Sequence, residues 1–209
     1  MFTRNKKPSV IYWLGNKLYL NVTNKCSNSC YFCFRKFKNG IKEFNLKLER
    51  EPTSIEAIEE LRKVINRKNW TEVVFCGFGE PLERLNLILD VTRQVKKQYW
   101  KTVRVDTNGQ GYLLNKGIDV AQELKNAGVD KVNVSLNAHN KLTYNQICKP
   151  IFEDAYENVL EFIKKAKDAG LETKATILAI PEVDITKVKE LADSLRVKFA
   201  VRKNFTFFW

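Results

Sequence analysis

Leu18-Tyr-Leu-Asn-Val-Thr-Asn-Lys-Cys26-Ser-Asn-Ser-Cys30-Tyr-Phe-Cys33 runs a short apolar segment into three cysteines spaced C-x3-C-x2-C. Thiolates this close can converge on one four-iron iron–sulfur cluster, in which each iron normally takes one thiolate. Three ligands leave one iron open, and an open coordination position can bind a substrate or cofactor. Phe32 puts an aromatic ring directly before the last cysteine.

Other uses of the cysteines fit less well. A structural zinc site needs four ligands, for which Cys76 or Cys148 would supply the fourth, but zinc sites usually pair two short C-x2-C halves. Five cysteines is an odd number for a disulfide framework. Met1-Phe-Thr-Arg-Asn-Lys-Lys7 leads into no secretory apolar segment, so a reducing, cytoplasmic setting is expected.

The 209 residues, 44% of them hydrophobic, are enough to bury a core as one domain spanning 1–209. No apolar run approaches the ~20 residues of a membrane helix, so no membrane partner is expected. The formal charge of +12 favours an acidic or phosphate-bearing substrate or partner, and equally suits a solvated lysine-rich surface. Arg35, Lys36, Lys38, Lys42, Lys47 and Arg50 follow the cysteines and would form a basic rim.

Outward from the cysteines the chain alternates. Residues 10–13 and 17–22 flank Gly15-Asn16 as a hairpin, whose second strand enters the cysteine loop. Thr53 or Ser54 caps a helix carrying Ile55, Ile58, Leu61 and Ile65 at helical spacing. Strands are expected at 72–75, 103–106, 131–136, 172–179 and 197–202, with helices at 82–99, 119–126, 153–169 and from Asp184 to 195. Six strands in β/α alternation imply parallel strands with right-handed crossovers and ligand contacts at their carboxyl ends. The aromatic tail Asn204–Trp209 would close the open side or pair with another chain.

With its C-x3-C-x2-C motif after a strand, the chain resembles the radical S-adenosylmethionine (radical SAM) enzymes; the pattern Leu-Tyr-Leu-Asn-Val-Thr-Asn-x-Cys also looks like the small subgroup associated with TatD-type nucleases. The resemblance runs from Leu18 to Arg202. It implies an α/β fold, a partial (β/α)6 TIM-type barrel with an N-terminal hairpin. It also implies a [4Fe-4S] cluster on Cys26, Cys30 and Cys33 whose open iron chelates S-adenosylmethionine, and Phe32 is placed beside that cofactor. Gly77, Phe78, Gly79 and Glu80, in Cys76-Gly-Phe-Gly-Glu-Pro81, match the family's GGE motif and would hold the methionine amine. Ser135 and Asn137 would meet the ribose and carboxylate. Thr107 and Asn108 would wall the cofactor or substrate, and Ile177 to Ala179 would present backbone and an apolar face to adenine.

Those strand-end segments also read as ordinary turns and caps. His139 reads as an incidental polar residue, Cys76 as packing, and Arg202 as a surface arginine or an anion contact. Cys148 would lie on the active-site side. The implied activity is that of an oxidoreductase: a flavodoxin- or ferredoxin-type reductant feeds the cluster, and S-adenosylmethionine yields a 5′-deoxyadenosyl radical that abstracts hydrogen from a substrate. Glycyl-radical-enzyme activases and deazapurine-forming or other modified-nucleoside synthases are the relatives in view. The reading from another class is a basic nucleic-acid-binding module with a structural metal.

Overall fold

The computed structural model describes residues 7–202, so the aromatic tail lies outside the described residues. β1 (Ile11–Leu14) and β2 (Lys17–Leu20) form the expected hairpin, turning at Gly15, whose φ of +59° is easy only for a residue without Cβ. β2 ends at Leu20, two residues early, because Asn21 turns toward the cysteine loop while its N–H still reaches the Val10 carbonyl at 2.8 Å. A small ribbon, β3 (Gly40–Ile41) and β4 (Phe44–Asn45), follows the loop.

The main sheet continues from β2 through β5 (Glu72–Phe75), β6 (Thr102–Thr107), β7 (Lys131–Ser135), β8 (Glu172–Leu178) and β9 (Lys198–Arg202). Its order is β1-β2-β5-β6-β7-β8-β9, with every pair after the hairpin parallel. Among the described residues β9 does not pair back onto the hairpin, so the (β/α)6 barrel is open. No helix of the described residues is long and apolar enough to cross a membrane.

Strand alternation sorts the side chains into two faces. Leu20, Phe75, Val105 and Val132 are register partners across four strands, and all are fully buried in the core shared with the helices. The alternate positions put Tyr19, Glu72, Arg104, Asp106, Lys131 and Asn133 on the opposite, concave face. There Arg104 donates to Glu72 Oε2 at 2.6 Å and to Asp106 Oδ1 at 2.8 Å, so much of the inner lining is ionic.

The helices are α1 (Ser54–Arg62), α2 (Leu85–Tyr99), α3 (Gly111–Leu114), α4 (Val120–Ala127), α5 (Lys141–Cys148), α6 (Ala155–Asp168) and α7 (Ile185–Ser194). Thr53 caps α1 in a reciprocal box with Glu56, and Asp184 caps α7 through Lys187 N–H. α2 starts three residues later than expected, because Pro81–Arg84 forms a 3-10 turn capped by Glu80, and α6 starts two residues late. Gly128 ends α4 in the left-handed region, as expected.

Candidate functional site

The cysteine loop leaves the carboxyl end of β2, and its fold is imposed from two sides. On one, it lies along the end of α5: Ser29 N–H donates to the Cys148 carbonyl at 3.0 Å, Tyr31 N–H to Ile147 at 3.2 Å, and Ile151 N–H to Ser27 at 2.9 Å. Gln110 Nε2 adds bonds to Asn28 Oδ1 at 2.7 Å and to the Tyr144 hydroxyl at 3.0 Å. On the other side, Arg35 donates to the Asn24 carbonyl at 2.9 Å while its guanidinium sits 5.0 Å over the Phe78 ring.

The loop after β5 is seated directly on this cysteine loop. Gly79 N–H donates to Thr23 at 2.9 Å and Glu80 N–H to Lys25 at 2.7 Å. A Cβ on Gly79 would stand 2.2 Å from the Lys25 carbonyl oxygen, and one on Gly77 2.2 Å from Asn21 Oδ1. The glycines therefore permit a close approach of loop to loop, where the sequence suggested approach to a ligand. Asn21, fully buried, locks the junction: its amide donates to Leu46 at 2.7 Å and Ser9 at 3.0 Å and accepts Phe78 N–H at 2.8 Å. Phe78 itself is buried with Tyr12 and Leu46.

Glu80 is 3% exposed. Its oxygens accept Thr107 Oγ1–H at 2.7 Å, Asn108 N–H at 2.6 Å and Leu82 N–H at 3.0 Å, tying the end of β6 to the glycine loop. Burial pushes its carboxyl up to about 7, against the pull of those donors. Asn108 in turn donates to Ser27 Oγ at 2.9 Å and reaches toward Cys26 Sγ at 4.0 Å. Thus Cys26, Gly79, Glu80, Thr107 and Asn108 converge at the carboxyl ends of β2, β5 and β6.

Farther along the rim, Ser135 accepts a bond from Arg202 at 3.1 Å. Asn137 is buried at φ +59°, with Nδ2 directed to Cys148 Sγ at 3.4 Å. Ile177 is fully buried with the helix-facing core, so its side chain turns away from the concave face and only main chain is offered there. Phe32 is partly buried, edge-on to Tyr31 at 5.4 Å. His139 Nε2 meets its neighbour Asn140 at 2.8 Å. Cys76, read as packing, is only half-buried; its carbonyl accepts a bond from the Tyr12 hydroxyl at 3.1 Å, and desolvation pushes its thiol up to about 12.

The donor set suits an iron–sulfur cluster. Cys26, Cys30 and Cys33 are each half-buried on one loop and near enough to raise one another's proton affinity, and burial pushes Cys26 up to about 12. Among the described residues no three acidic, cysteine or histidine side chains close on a single metal ion. Ligands to a four-iron core stand farther apart, since each binds a different iron. Sequence reasoning missed Asn21, Gln110 and Tyr144; the visible signal was a polar residue breaking the apolar run at Asn21.

The "Radical SAM superfamily" family model matches residues 20–195. The chain is 33% identical over 154 residues to a "Probable GTP 3',8-cyclase" of Saccharolobus solfataricus, covering 74% of this chain and 44% of that protein. It is 31% identical over 180 residues to a GTP 3',8-cyclase of Aliarcobacter butzleri, covering 85% and 51%. The chain thus spans about half the length of the curated relatives it matches. In fold it is similar to Streptococcus suis SuiB bound to S-adenosylmethionine, with a TM-score of 0.66 at 16% identity over 89% of this chain and 40% of that one.

Proposed function

The chain belongs to the radical SAM superfamily, whose enzymes use a [4Fe-4S] cluster and S-adenosylmethionine, and from that premise we propose that it generates a 5′-deoxyadenosyl radical and directs it at a phosphate-bearing purine nucleotide. The observation that carries the first half is the zipping of the glycine loop onto the cysteine loop, Gly79 to Thr23 and Glu80 to Lys25, at one end of adjacent parallel strands.

Cys26, Cys30 and Cys33 would hold the cluster. When bound and reduced by a flavodoxin- or ferredoxin-type donor, it supplies the electron that splits S-adenosylmethionine into methionine and the radical. The residues of this chain bind and orient. Main-chain carbonyls of residues 77–79 would accept from the methionine ammonium. Glu80 sets the position of that loop through Thr107 and Asn108 and has lone-pair capacity beyond its three donors. Asn137 Oδ1, buried without a partner among the described residues, offers an acceptor to a cofactor donor, and Ser135 a hydroxyl. Free cysteines suit a reducing, cytoplasmic setting.

The nucleotide reading is supported by the names of the relatives and by Arg202 at the carboxyl end of β9, whose guanidinium donates to the Ser135 hydroxyl at 3.1 Å and lies near Asp106. The test is anaerobic incubation with dithionite and S-adenosylmethionine, assaying 5′-deoxyadenosine in wild type and Cys30→Ala, with and without GTP. Formation that is abolished in Cys30→Ala and increased by GTP supports the proposal. Cleavage persisting in the variant removes the mechanism, and cleavage indifferent to GTP removes the substrate.

A further inference from the structure

No acid precedes Glu43 in the sequence, so the cysteine loop and its flanks carry positive charge alone, at Lys25, Arg35, Lys36, Lys38 and Lys42. After Cys33 the chain makes a 3-10 turn, Phe34–Lys36, in which Lys36 N–H donates to the Cys33 carbonyl at 3.1 Å. The first two side chains of the turn face inward: Phe34 sits edge-on to Phe78 at 5.8 Å, and Arg35 reaches the Asn24 carbonyl. Lys36 and Phe37 are thereby left outside, and Phe37 is 66% exposed. At the other end of the loop Ser29 is exposed beside Cys30, and its N–H also reaches the Lys149 carbonyl at 3.2 Å. That bond brings the exposed Lys149 against the same loop. Of the carboxylates that approach the loop, Glu182 accepts the Tyr31 hydroxyl at 2.6 Å and Glu80 is buried with its three donors. Among the described residues neither Lys36 nor Lys149 enters an ion pair.

The inner side of the cysteine loop is joined to the glycine loop and faces the barrel mouth, where cofactor and substrate are to be held. An electron therefore has its open route through the outer side, where Ser29 puts solvent one residue from a cluster ligand. We propose that this outer face, with Lys36 and Lys149 at its two ends and Phe37 as an apolar anchor, is the docking surface for an acidic one-electron carrier protein of the flavodoxin or ferredoxin type. In that encounter the reduced carrier loses one electron and the cluster gains it, with no bond made or broken. A cationic face of this kind steers an acidic partner into place and speeds its arrival, an effect that salt weakens. Electron-transfer contacts are small and short-lived, so two lysines and one exposed ring suffice where a stable complex would need a broad apolar patch. The proposal deepens the function given above and rests on its cluster assignment.

The test compares 5′-deoxyadenosine formation driven by dithionite with that driven by increasing photoreduced flavodoxin, in anaerobically reconstituted wild type and in the double variant Lys36→Glu, Lys149→Glu. The control is Lys97→Glu, an exposed lysine in the last turn of α2, which leads into β6 at the opposite end of the barrel. The double variant should keep the wild-type rate with dithionite and need on the order of tenfold more flavodoxin for half-maximal rate, while Lys97→Glu matches wild type. An unchanged flavodoxin requirement in the double variant, or an equal rise in Lys97→Glu, overturns the proposal. So does a face that binds a single-stranded oligonucleotide, lost in the double variant, with the flavodoxin requirement unchanged. Should the double variant fail to load iron, Lys149→Gln and the salt dependence of the wild type decide. A raised requirement in Lys149→Gln and a flavodoxin-driven rate that falls with salt support the proposal, and the absence of either overturns it. A wild type that takes up no four-iron cluster, or forms no 5′-deoxyadenosine with dithionite, would instead defeat the function proposed above, before any variant is compared.

Discussion

The Glu80 N–H donates to the Lys25 carbonyl at 2.7 Å, so the glycine loop and the cysteine loop share backbone bonds with no side chain between them. Gly79→Ala would drive a Cβ to 2.2 Å from Lys25 O and 2.7 Å from Thr23 O, both backbone atoms that cannot swing aside. We expect a loss of about 1–3 kcal/mol, the range for forced overpacking, together with reduced iron uptake. Gly117→Ala is the control: at φ +79° with open space around its Cβ, it carries only left-handed strain of about 1–2 kcal/mol and should load iron normally. Urea denaturation and iron counts check this, and equal iron uptake in the two variants would refute it.

Glu80 links stability to pH. Its folded value of about 7 stands above the ordinary 4.5, so between those values the folded state holds a proton that the unfolded chain has released. The stability contributed by protonated Glu80 is fully present below about 4.5 and is lost as pH rises through 7. Glu80→Gln cannot titrate, and its NH2 would face donors already aimed at the carboxylate, costing about 1–3 kcal/mol. Thermal unfolding across this window should show wild-type stability falling with pH relative to Glu80→Gln. A constant difference would mean that Glu80 stays ionised throughout.

Much of the frame was legible because its signals are local. Glu72–Phe75 reads as a buried strand, Gly128 as a cap, Thr53 with Glu56 as a helix start, and each depends on neighbours a few positions away. What escaped depends on partners distant in sequence. α5 is short and mostly polar, and its buried Tyr144, Ile147 and Cys148, at i, i+3 and i+4, span a single turn, too little for the period to stand out. Glu80 was readable as a carboxylate at a strand end, but its donors Thr107 and Asn108 lie 27 and 28 positions on. Ile177 is the contrary case: alternation with Ala175 already put its side chain on the helix side.

Asn21 should behave as a structural keystone. Its amide satisfies Phe78 N–H and the Ser9 and Leu46 carbonyls at a fully buried position. Asn21→Leu matches its bulk but leaves all three without this partner, and an orphaned buried group costs about 1–3 kcal/mol. We expect the variant to lose at least about 3 kcal/mol and to lose iron binding with it. Chemical denaturation with an iron count on the folded fraction measures both, and a variant within about 1 kcal/mol of wild type would show the junction to be held elsewhere.

Arg104 separates two carboxylates on the concave face, and its removal tests whether the ionic lining supports the barrel. Glu72 would retain Lys17 at 3.0 Å and Lys131 at 3.2 Å, whereas Asp106 would keep a bond from Asn133 at 2.9 Å and the more distant charge of Arg202. Burial already raises the Asp106 carboxyl and Arg104 opposes it, so Arg104→Met raises it further. Breaking a buried pair from one side costs about 3–5 kcal/mol, because the remaining charge stays desolvated. A raised folded value means that the protonated carboxyl stabilises the fold at low pH and that this contribution is lost as pH rises through that value. The deficit of Arg104→Met should therefore shrink on acidification, and Asp106→Asn added to it should recover part of the loss at neutral pH. Denaturation at pH 5 and pH 8 tests the first point, and the double variant tests the second. A deficit independent of both would show that the guanidinium contributes through its packing, with its charge irrelevant to the fold.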